Sequence, residues 1–266
     1  MFNPLPDPVD ASLVRRVLVT KLRHHGDVLL ASPVFTVLRR ALPDAEIDAL
    51  VYRETAAMLE GHPAIATLHT IDRSWKREGL IVQMSEERRL LSALAARRYD
   101  LLVHLTEHRR GAWLARLLRP RYAVAREMDG RNRFWRRSFS HRYRLPRARP
   151  RHTVECNLDA LRRIGIRPAA EDKRLVLCPD DKSAARVRNL FAQQGLESHR
   201  FLHLHPGSRW LFKCWPPEQS AALLDRLAAD GHRVAVTGAP DARERALVDA
   251  ILGACGPAAR SGIGDR

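Results

Sequence analysis

Apolar residues in this chain occur in short continuous runs that alternate with longer stretches in which they recur every three or four positions. Continuous short runs are typical of strands buried on both faces of a sheet, and the longer periodic stretches are typical of helices. The pattern predicts strands in the first half of the chain at residues 16–20, 46–51, 68–71 and 99–105. Helices are predicted between them at residues 28–42, 53–60 and 86–98. This spacing implies right-handed crossovers and a parallel α/β sheet.

The same alternation returns in the second half of the chain. Strands are predicted at residues 201–205 and 233–237, and helices at residues 181–195 and 217–230. An amphipathic helix predicted at residues 152–165 ends at a glycine and is followed by a polar stretch that contains Pro168. Domain boundaries fall in polar, proline-containing segments of this kind. We therefore predict two domains, residues 1–168 and 169–266.

The first predicted strand leads into the sequence Lys-Leu-Arg-His-His-Gly-Asp at positions 21–27. Gly26 permits a tight turn or a close approach to a ligand, and Asp27 falls at the start of the next helix. Ligands of open α/β sheets bind at the carboxyl ends of the strands, so Asp27 is expected at a cleft edge. Two interpretations are open, a carboxylate that takes part in chemistry and an ordinary helix cap.

A second polar group follows the strand predicted at residues 99–105, where Thr106, Glu107 and His108 come in succession. Parallel strands end at the same edge of a sheet, so these side chains are expected on the rim where Asp27 lies. Glu107 could hold a sugar hydroxyl. It could equally be an exposed loop carboxylate.

The two strands of the second half are each followed by a glycine turn, at residues 206–208 and 238–241. Backbone N–H groups at a helix start bind phosphate oxygens, and a lysine such as Lys213 supplies a point charge. Two such turns on one rim would suit a nucleotide diphosphate. The alternative for Lys213 is a solvent-exposed lysine that precedes a tryptophan.

The formal net charge of +16 favours anionic ligands or surfaces, but 41 of the 46 basic residues are arginine, a skew that genome base composition can also produce. Nine of these arginines lie in residues 131–151, interleaved with four aromatic residues. Three interpretations of this segment are open: a solvated loop, a contact surface for a phosphorylated glycolipid, and a surface for single-stranded nucleic acid.

The four cysteines are far apart and form no C-x-x-C pair, which argues against a zinc site and against a disulfide framework. A reducing cytosol is the expected compartment. Residues 1–10 are proline-rich and acidic, unlike a signal peptide, and no apolar run is long enough to span a membrane.

Several of these motifs resemble the lipopolysaccharide heptosyltransferases, glycosyltransferase family 9. The motif at positions 21–30, followed by Ser32 and Pro33, is similar to the N-terminal motif of the family, and Arg23-His24-His25 looks most like the heptosyltransferase III branch. The helix that begins His152-Thr-Val-Glu resembles the interdomain segment, where His152 is more often structural than catalytic. His-Pro-Gly-Ser at 205–208 and Phe-Lys-Cys-Trp-Pro at 212–216 resemble the nucleotide-sugar half.

This resemblance, which covers most of the chain, implies a GT-B type α/β fold in which two Rossmann-like domains face a cleft. It implies that Asp27 is the general base of an inverting transfer. It further implies two binding sites. The donor nucleotide site would comprise Ser208, Lys213, Gly238, Asp241 and Glu244. The acceptor site would comprise Lys21, Arg23, His24, His25 and Glu107. The family's ribose-contacting acid could be either Asp241 or Glu244, and one register places Ala242 there.

The ligands implied are ADP-L-glycero-D-manno-heptose as donor and the lipid A–core region of lipopolysaccharide as acceptor. No cofactor, metal or nucleic acid is expected. A cytoplasmic protein that associates peripherally with the inner membrane is expected. The alternative function is a truncated, non-catalytic protein that binds phosphorylated glycolipid or nucleic acid through residues 131–151.

The chain departs from the family pattern at its C-terminal end. Family members continue with a further Asp-Ser-x-x-x-His motif and more helices, whereas this sequence ends at Arg266. We therefore expect an incomplete second domain with an unpaired sheet edge, low solubility, and weak or absent turnover.

Overall fold

The computed structural model of the chain describes residues 8–145, 151–197, 200–257 and 259. Expectations that concern residues 1–7, Arg147, Arg149 and the C-terminal residues 260–266 lie outside these described residues. The chain folds into two compact units, Met1–Pro179 and Asp180–Arg266. Each unit has a parallel sheet and a hydrophobic core of its own.

The first unit contains a six-stranded sheet in which every neighbouring pair of strands is parallel. Its strands are β1 Arg16–Thr20, β2 Glu46–Tyr52, β3 Thr67–Ile71, β4 Leu101–His104, β5 Tyr122–Arg126 and β6 His141–Tyr143. Its helices are α1 His25–Leu29, α2 Ser32–Ala41, α3 Leu80–Ala96, α4 Arg110–Leu118, α5 Arg133–Ser138 and α6 Thr153–Arg163. The strand order β3-β2-β1-β4-β5-β6 is that of a doubly wound dinucleotide-binding fold.

Both faces of this sheet are covered by helices. Successive side chains of a strand point to opposite sides of the sheet, so each strand contributes to two cores. Val17 and Val19 of β1 belong to a core that includes residues of α2 and α6. Leu18 belongs to the opposite core, which includes residues of α3, α4 and α5. Burial on two sides explains why the strands are continuous apolar runs rather than alternating ones.

The helix predicted for residues 28–42 is instead two helices. α1 ends at Leu29, and α2 begins at Ser32. Pro33 lies in the first turn of α2, where its missing N–H does no harm, whereas in an uninterrupted helix it would break the hydrogen-bond ladder. The segment predicted as a helix at residues 53–60 is likewise shorter, a 3-10 helix over Arg53–Met58.

The first unit extends past Pro168, after which the sequence predicts the domain boundary, to Pro179. Asp172 accepts two hydrogen bonds of 2.6 Å from the guanidinium of Arg40 in α2. The backbone N–H of Val176 donates to Ser32 Oγ at 3.0 Å. These polar contacts with α2 attach the polar stretch to the first unit. The hydrophobic pattern of the sequence does not reveal them.

The arginine-rich segment is largely folded, so the interpretation of residues 131–151 as a solvated loop is wrong for most of the described part. It forms α5 and β6, and three of its four aromatic residues are buried, Trp135, Phe139 and Tyr143. Rings in these core positions cannot stack on bases or on sugar rings. Several of the arginines, moreover, pair with acidic residues, namely Arg136 and Arg142 with Glu127, and Arg151 with Glu155 and Asp159.

Gly111 in α4 lies directly against the ring of His104, the last residue of β4. A Cβ atom at position 111 would be 2.1 Å from His104 Nε2. The ring cannot move aside easily, because Thr20 Oγ1 lies 2.5 Å from Nδ1 and Phe139 stacks on the ring at 5.9 Å. We expect Gly111→Ala to lower the free energy of unfolding, since overpacking costs about 1–3 kcal/mol and the better helix propensity of alanine returns at most about 1 kcal/mol.

Urea denaturation of the two proteins measures this difference. Gly26→Ala is the matched control, since no atom lies within 4 Å of a Cβ built at Gly26. That control should be as stable as the wild type or slightly more stable. A Gly111→Ala protein with increased stability would show that the core around His104 has room for a methyl group.

The second unit is smaller. Its helices are α7 Asp181–Gln193, α8 Pro217–Ala229 and α9 Ala242–Ala254, and its strands are β7 Leu202–Leu204 and β8 Val234–Val236. β7 and β8 pair in parallel. The core comprises buried residues of α8, β8 and α9, together with Cys255 and Ala259, which follow α9. The predicted strands and helices of this half are present, with bounds that differ by a few residues.

Candidate active site

A polar cavity of about 200 Å³ lies at the carboxyl edge of the six-stranded sheet. Residues that follow β1 and residues that follow β4 both line it, and these two strands are neighbours at the centre of the sheet. The chain leaves β1 and β4 in opposite directions across the sheet, which is where doubly wound proteins bind their ligands. The lining residues are Lys21, Arg23, Asp27, Leu105, Thr106, Glu107, Arg126, Tyr143, Leu145, Thr153, Cys156 and Asn157.

Asp27 is the third residue of α1 and is half-buried at the wall of this cavity. The interpretation of Asp27 as the helix cap is wrong, because α1 begins two residues earlier and His24 occupies the cap position. No hydrogen bond joins the Asp27 carboxylate to another described residue. The carboxylate is therefore available to accept a proton or a hydrogen bond from a ligand hydroxyl.

Lys21 places a buried ammonium in the same cavity. Its side chain donates to the carbonyl oxygen of Leu105 at 3.1 Å and to Oδ1 of Asn157 at 3.0 Å. Burial lowers the pKa of Lys21 to about 8, although the nearby carboxylates of Asp27 and Glu107 raise it. The ammonium has three donors, and contacts with the described residues use two of them, which leaves one for a ligand.

Asn157 is a residue of this site that the sequence-based prediction missed. Its Oδ1 accepts from Lys21, and its Nδ2 donates to the carbonyl oxygen of Leu30 at 2.8 Å, in the break between α1 and α2. One buried amide thus connects α6 to the segment that carries Asp27. The signal was present in the sequence, because Asn157 lies on the apolar stripe of its helix with Val154, Leu158 and Leu161.

Glu107 lines the cavity and is half-buried, so it is not the exposed loop carboxylate of the second interpretation. Its carboxylate forms an ion pair with Arg126, and its backbone oxygen accepts a hydrogen bond from Arg131. Arg126 is the last residue of β5, a strand that the apolar pattern did not reveal. The Glu107 side chain is thus already partnered, whereas the Asp27 side chain has no such partner in the part of the chain that the structure describes.

The structure brings together four of the six residues predicted for the catalytic and acceptor sites, Lys21, Arg23, Asp27 and Glu107. His24 and His25 are not among the lining residues and are exposed at the start of α1. His152 caps α6 by accepting a hydrogen bond from the backbone N–H of Val154 at 3.4 Å, which is a structural role.

The cavity combines a half-buried carboxylate with a fixed ammonium and two guanidinium groups. Such a set can orient a hydroxylated or anionic ligand and remove a proton from one of its hydroxyl groups. Among the described residues, no group of three or more His, Cys, Asp or Glu side chains is arranged to hold a metal ion.

In the second unit, the two predicted glycine turns lie next to each other. Glu244 accepts a hydrogen bond from the backbone N–H of Ala239 at 2.7 Å, in the turn after β8. A Cβ at Gly207, in the turn after β7, would be 2.3 Å from Glu244 Oε2. The carboxylate of Glu244 therefore packs between the two turns and fixes their spacing.

The other residues predicted for the donor site have diverse environments. Asp241 caps α9 and accepts from the N–H groups of Arg243 and Glu244. A Cβ atom at Gly238 would lie 3.1 Å from Val248 of the same helix. Ser208 accepts a 3.4 Å hydrogen bond from Trp210 N. Lys213 is exposed at the end of a 3-10 turn, and its Nζ lies 5.9 Å from the ring centre of Phe212.

Within the part of the chain that the structure describes, each helix is too short or too polar to cross a lipid bilayer.

Comparisons with known proteins agree with this architecture. Residues 87–259 match the family model described as glycosyltransferase family 9 (heptosyltransferase). The chain is 32% identical to lipopolysaccharide heptosyltransferase 3 of Escherichia coli over 235 residues, which are 88% of this chain and 67% of that protein. The chain thus spans about two thirds of the length of the curated relatives it matches.

Solved structures of similar fold include a glycosyl transferase family 9 protein from Veillonella parvula, with a TM-score of 0.72, 21% identity, and coverage of 91% of this chain and 73% of that one. They also include ADP-heptose lipopolysaccharide heptosyltransferase II of Escherichia coli, with a TM-score of 0.69, 20% identity, and coverage of 93% and 71%. These likenesses confirm the predicted GT-B type α/β fold class. The cleft between the halves and the incompleteness of the second domain stay predictions.

Proposed function

The chain belongs to glycosyltransferase family 9, the heptosyltransferases, and we propose that it transfers a heptose from ADP-heptose to the inner core of lipopolysaccharide. The observation that carries the proposal is the half-buried carboxylate of Asp27, which has no hydrogen-bond partner among the described residues and lies in a polar cavity at the switch point of the sheet. The relatives' names, lipopolysaccharide heptosyltransferase 3 and ADP-heptose lipopolysaccharide heptosyltransferase II, support the choice of donor and acceptor.

The proposed reaction is a single inverting displacement. Asp27 takes the proton from an acceptor sugar hydroxyl, and the oxygen of that hydroxyl forms a bond to the anomeric carbon of the heptose. The bond between that carbon and the diphosphate oxygen breaks, and ADP leaves with the bonding electron pair. Lys21 and Arg23 hold the acceptor in the cavity, where the ammonium of Lys21 is fixed by Asn157 and Leu105.

The second unit supplies the donor site in this proposal. The N–H groups of the turns after β7 and β8 bind the diphosphate, with Ser208 and Gly238 in those turns, and Lys213 compensates its negative charge. Either Asp241 or Glu244 contacts the ribose. Because a lysine and backbone amides neutralise the leaving group, the reaction as proposed needs neither a metal nor a cofactor.

Replacing Lys213 by alanine should weaken ADP binding about tenfold to a hundredfold, because a charge-assisted hydrogen bond contributes about 1.5–3 kcal/mol. Isothermal titration calorimetry with ADP measures the change. Lys182→Ala is the control, since Lys182 is another exposed lysine of the same unit. Equal ADP affinity in Lys213→Ala and in the wild type would remove Lys213 from the donor site.

The acceptor proposed here is attached to a lipid, so the protein should work at the cytoplasmic face of the inner membrane, in peripheral contact with it. The alternative of a non-catalytic nucleic-acid or glycolipid binder loses its main support, because the aromatic residues Trp135, Phe139 and Tyr143 are buried.

The function is tested by incubating the purified protein with ADP-heptose and a lipid A–core acceptor that lacks the heptose. After a long incubation, because turnover of this chain is expected to be weak, mass spectrometry should show an acceptor enlarged by one heptose and the release of one ADP. A core oligosaccharide of unchanged mass in a strain that lacks the gene would contradict the proposal.

A further inference from the structure

The first turn of α3 exposes an unusual number of apolar side chains. Leu80, Ile81 and Met84 are 77%, 86% and 71% exposed, respectively, whereas Leu94, near the other end of the same helix, is fully buried. The sequence-based prediction started this helix at residue 86 and so missed the exposed turn. Single exposed apolar residues are common on protein surfaces, but a contiguous group marks a contact with something apolar.

This turn lies at the functional edge of the sheet. The chain leaves β3, passes through a 3-10 turn over Arg73–Lys76, and returns along α3 to the start of β4. α3 therefore begins at the carboxyl edge, where the Asp27 cavity also opens. A second cavity of about 830 Å³ is lined by Tyr52 and Ile71, the last residues of β2 and β3, and also by Gln83 of α3.

Positive charge accompanies the apolar turn. Lys76 and Arg77 lie four and three positions before Leu80 and are exposed, and neither forms an ion pair with another residue of the described ranges. The neighbouring cations differ in this respect, because Arg73 pairs with Glu54 and Arg110 pairs with Glu87. Glu78 follows Lys76 and Arg77 and accepts a hydrogen bond from Ser74 Oγ at 2.7 Å, so one negative charge offsets part of the positive charge. The segment thus combines a net positive charge with large apolar side chains.

An exposed tryptophan lies on the same edge. Trp113 is in the first turns of α4, which follows β4 and so also begins at the carboxyl edge. Trp113 is 56% exposed, and the centre of its ring lies 4.8 Å from that of Phe134, in tilted geometry. Tryptophan favours the boundary between lipid and water, because its ring is apolar and its N–H is polar.

We propose that these residues form a docking surface for an anionic lipid bilayer. The surface, called here the rim patch, consists of Lys76, Arg77, Leu80, Ile81, Met84 and Trp113. Apolar side chains enter the boundary region of the bilayer, and the cations bind lipid phosphates, which is how interfacial segments associate with membranes. The complementary charge selects the lipid surface over an apolar protein partner, which would leave Lys76 and Arg77 without anions.

Docking through the rim patch would turn the carboxyl edge of the sheet, and with it the Asp27 cavity, toward the bilayer. A lipid-linked acceptor would then reach the cavity without leaving the membrane. The benefit of this orientation rests on the proposed function, whereas binding to lipid does not and is measured without donor or acceptor.

The test is co-sedimentation of the purified protein with vesicles of phosphatidylcholine and with vesicles of phosphatidylcholine and phosphatidylglycerol. The wild type should bind the anionic vesicles at least tenfold better, and added salt should weaken the binding. The double variant I81S/M84S should lose at least tenfold in binding. The control L175S/L177S changes two exposed leucines of the same unit outside the rim patch and should bind as the wild type.

A second pair of variants tests the charges without altering the apolar residues. K76Q/R77Q should bind anionic vesicles at least fivefold less well, and R15Q/R119Q, at the opposite edge of the sheet, should bind as the wild type. Circular dichroism verifies that each variant is folded. If I81S/M84S is unfolded, the comparison of K76Q/R77Q with R15Q/R119Q tests the proposal by itself.

Three results would overturn the proposal: equal binding to both kinds of vesicle, binding that survives K76Q/R77Q, or a dimer by light scattering that dissociates in I81S/M84S without any vesicle binding. Vesicle binding by a protein that transfers no heptose would support the rim patch and reject the proposed function. Heptose transfer without vesicle binding would support the proposed function and reject the rim patch.

Discussion

Asp27→Asn should lower kcat for heptose transfer by about a hundredfold to ten-thousandfold, which is the usual contribution of a positioned general base. Asparagine keeps the shape of the side chain but cannot accept the proton of the acceptor hydroxyl. The carboxylate makes no hydrogen bond to another described residue, so its loss should leave α1 and the cavity intact. KM for the acceptor and the affinity for ADP should change little.

Initial rates at several acceptor concentrations separate the effect on kcat from the effect on KM. Asp44→Asn is the control, because Asp44 is exposed in the turn before β2, at the edge of the sheet opposite the cavity. If Asp27→Asn retained the wild-type kcat, Asp27 could not be the base, and the proposed mechanism would have to be abandoned.

Asp48→Asn should lower the free energy of unfolding of the first unit by about 2–3 kcal/mol at neutral pH. The carboxylate in β2 is fully buried and accepts from Arg97 Nε at 2.7 Å, from Arg97 Nη2 at 3.1 Å and from Tyr99 Oη at 2.7 Å. Loss of one partner of a buried pair costs about 3–5 kcal/mol. A value below that range is expected here, because the Arg97 side chain is 27% exposed and keeps its ion pair with Glu46 at 3.1 Å.

The contribution of Asp48 should also depend on pH. Burial by itself raises the pKa of Asp48, but hydrogen bonds from His69, Arg97 and Tyr99 lower it to about 2, below the value of 3.8 that applies to the unfolded chain. A carboxyl group with a depressed pKa stabilises the folded state above the unfolded pKa, and this stabilisation disappears as the pH falls through the folded pKa. The difference between the wild type and Asp48→Asn should therefore shrink between pH 4 and pH 2.

Urea unfolding followed by circular dichroism at pH 7, 4, 3 and 2.5 measures both effects. Asp44→Asn again serves as the control, since the Asp44 side chain is 83% exposed and approaches Arg15 only to 4.0 Å. A difference that stays constant down to pH 2.5 would show that the charge of Asp48 does not contribute to stability.

The positions of β1 to β4, β7 and β8 could be predicted from the sequence, and so could the place of Asp27 at the carboxyl edge of the sheet. β1 begins and ends where the apolar run does, and Asp27 follows a strand and a glycine, as a ligand-binding carboxylate of an α/β sheet should. The sequence pattern did not reveal β5, β6, α4, α5 and α9, whose apolar patterns are short or interrupted. Arg126 was missed for that reason, since a residue can be assigned to a rim only when its strand is known.

Local patterns determine local elements, because strand and helix periodicities involve residues only a few positions apart. The sequence by itself therefore determined the alternation of strands and helices, the two glycine turns of the second half, and the position of Asp27 after the first strand. Only the tertiary structure decided which side chains meet. Lys21 and Asn157 are joined by a hydrogen bond across 136 positions of sequence, and Arg40 and Asp172 across 132. Such pairs depend on how helices pack across the sheet, which no short window of sequence contains.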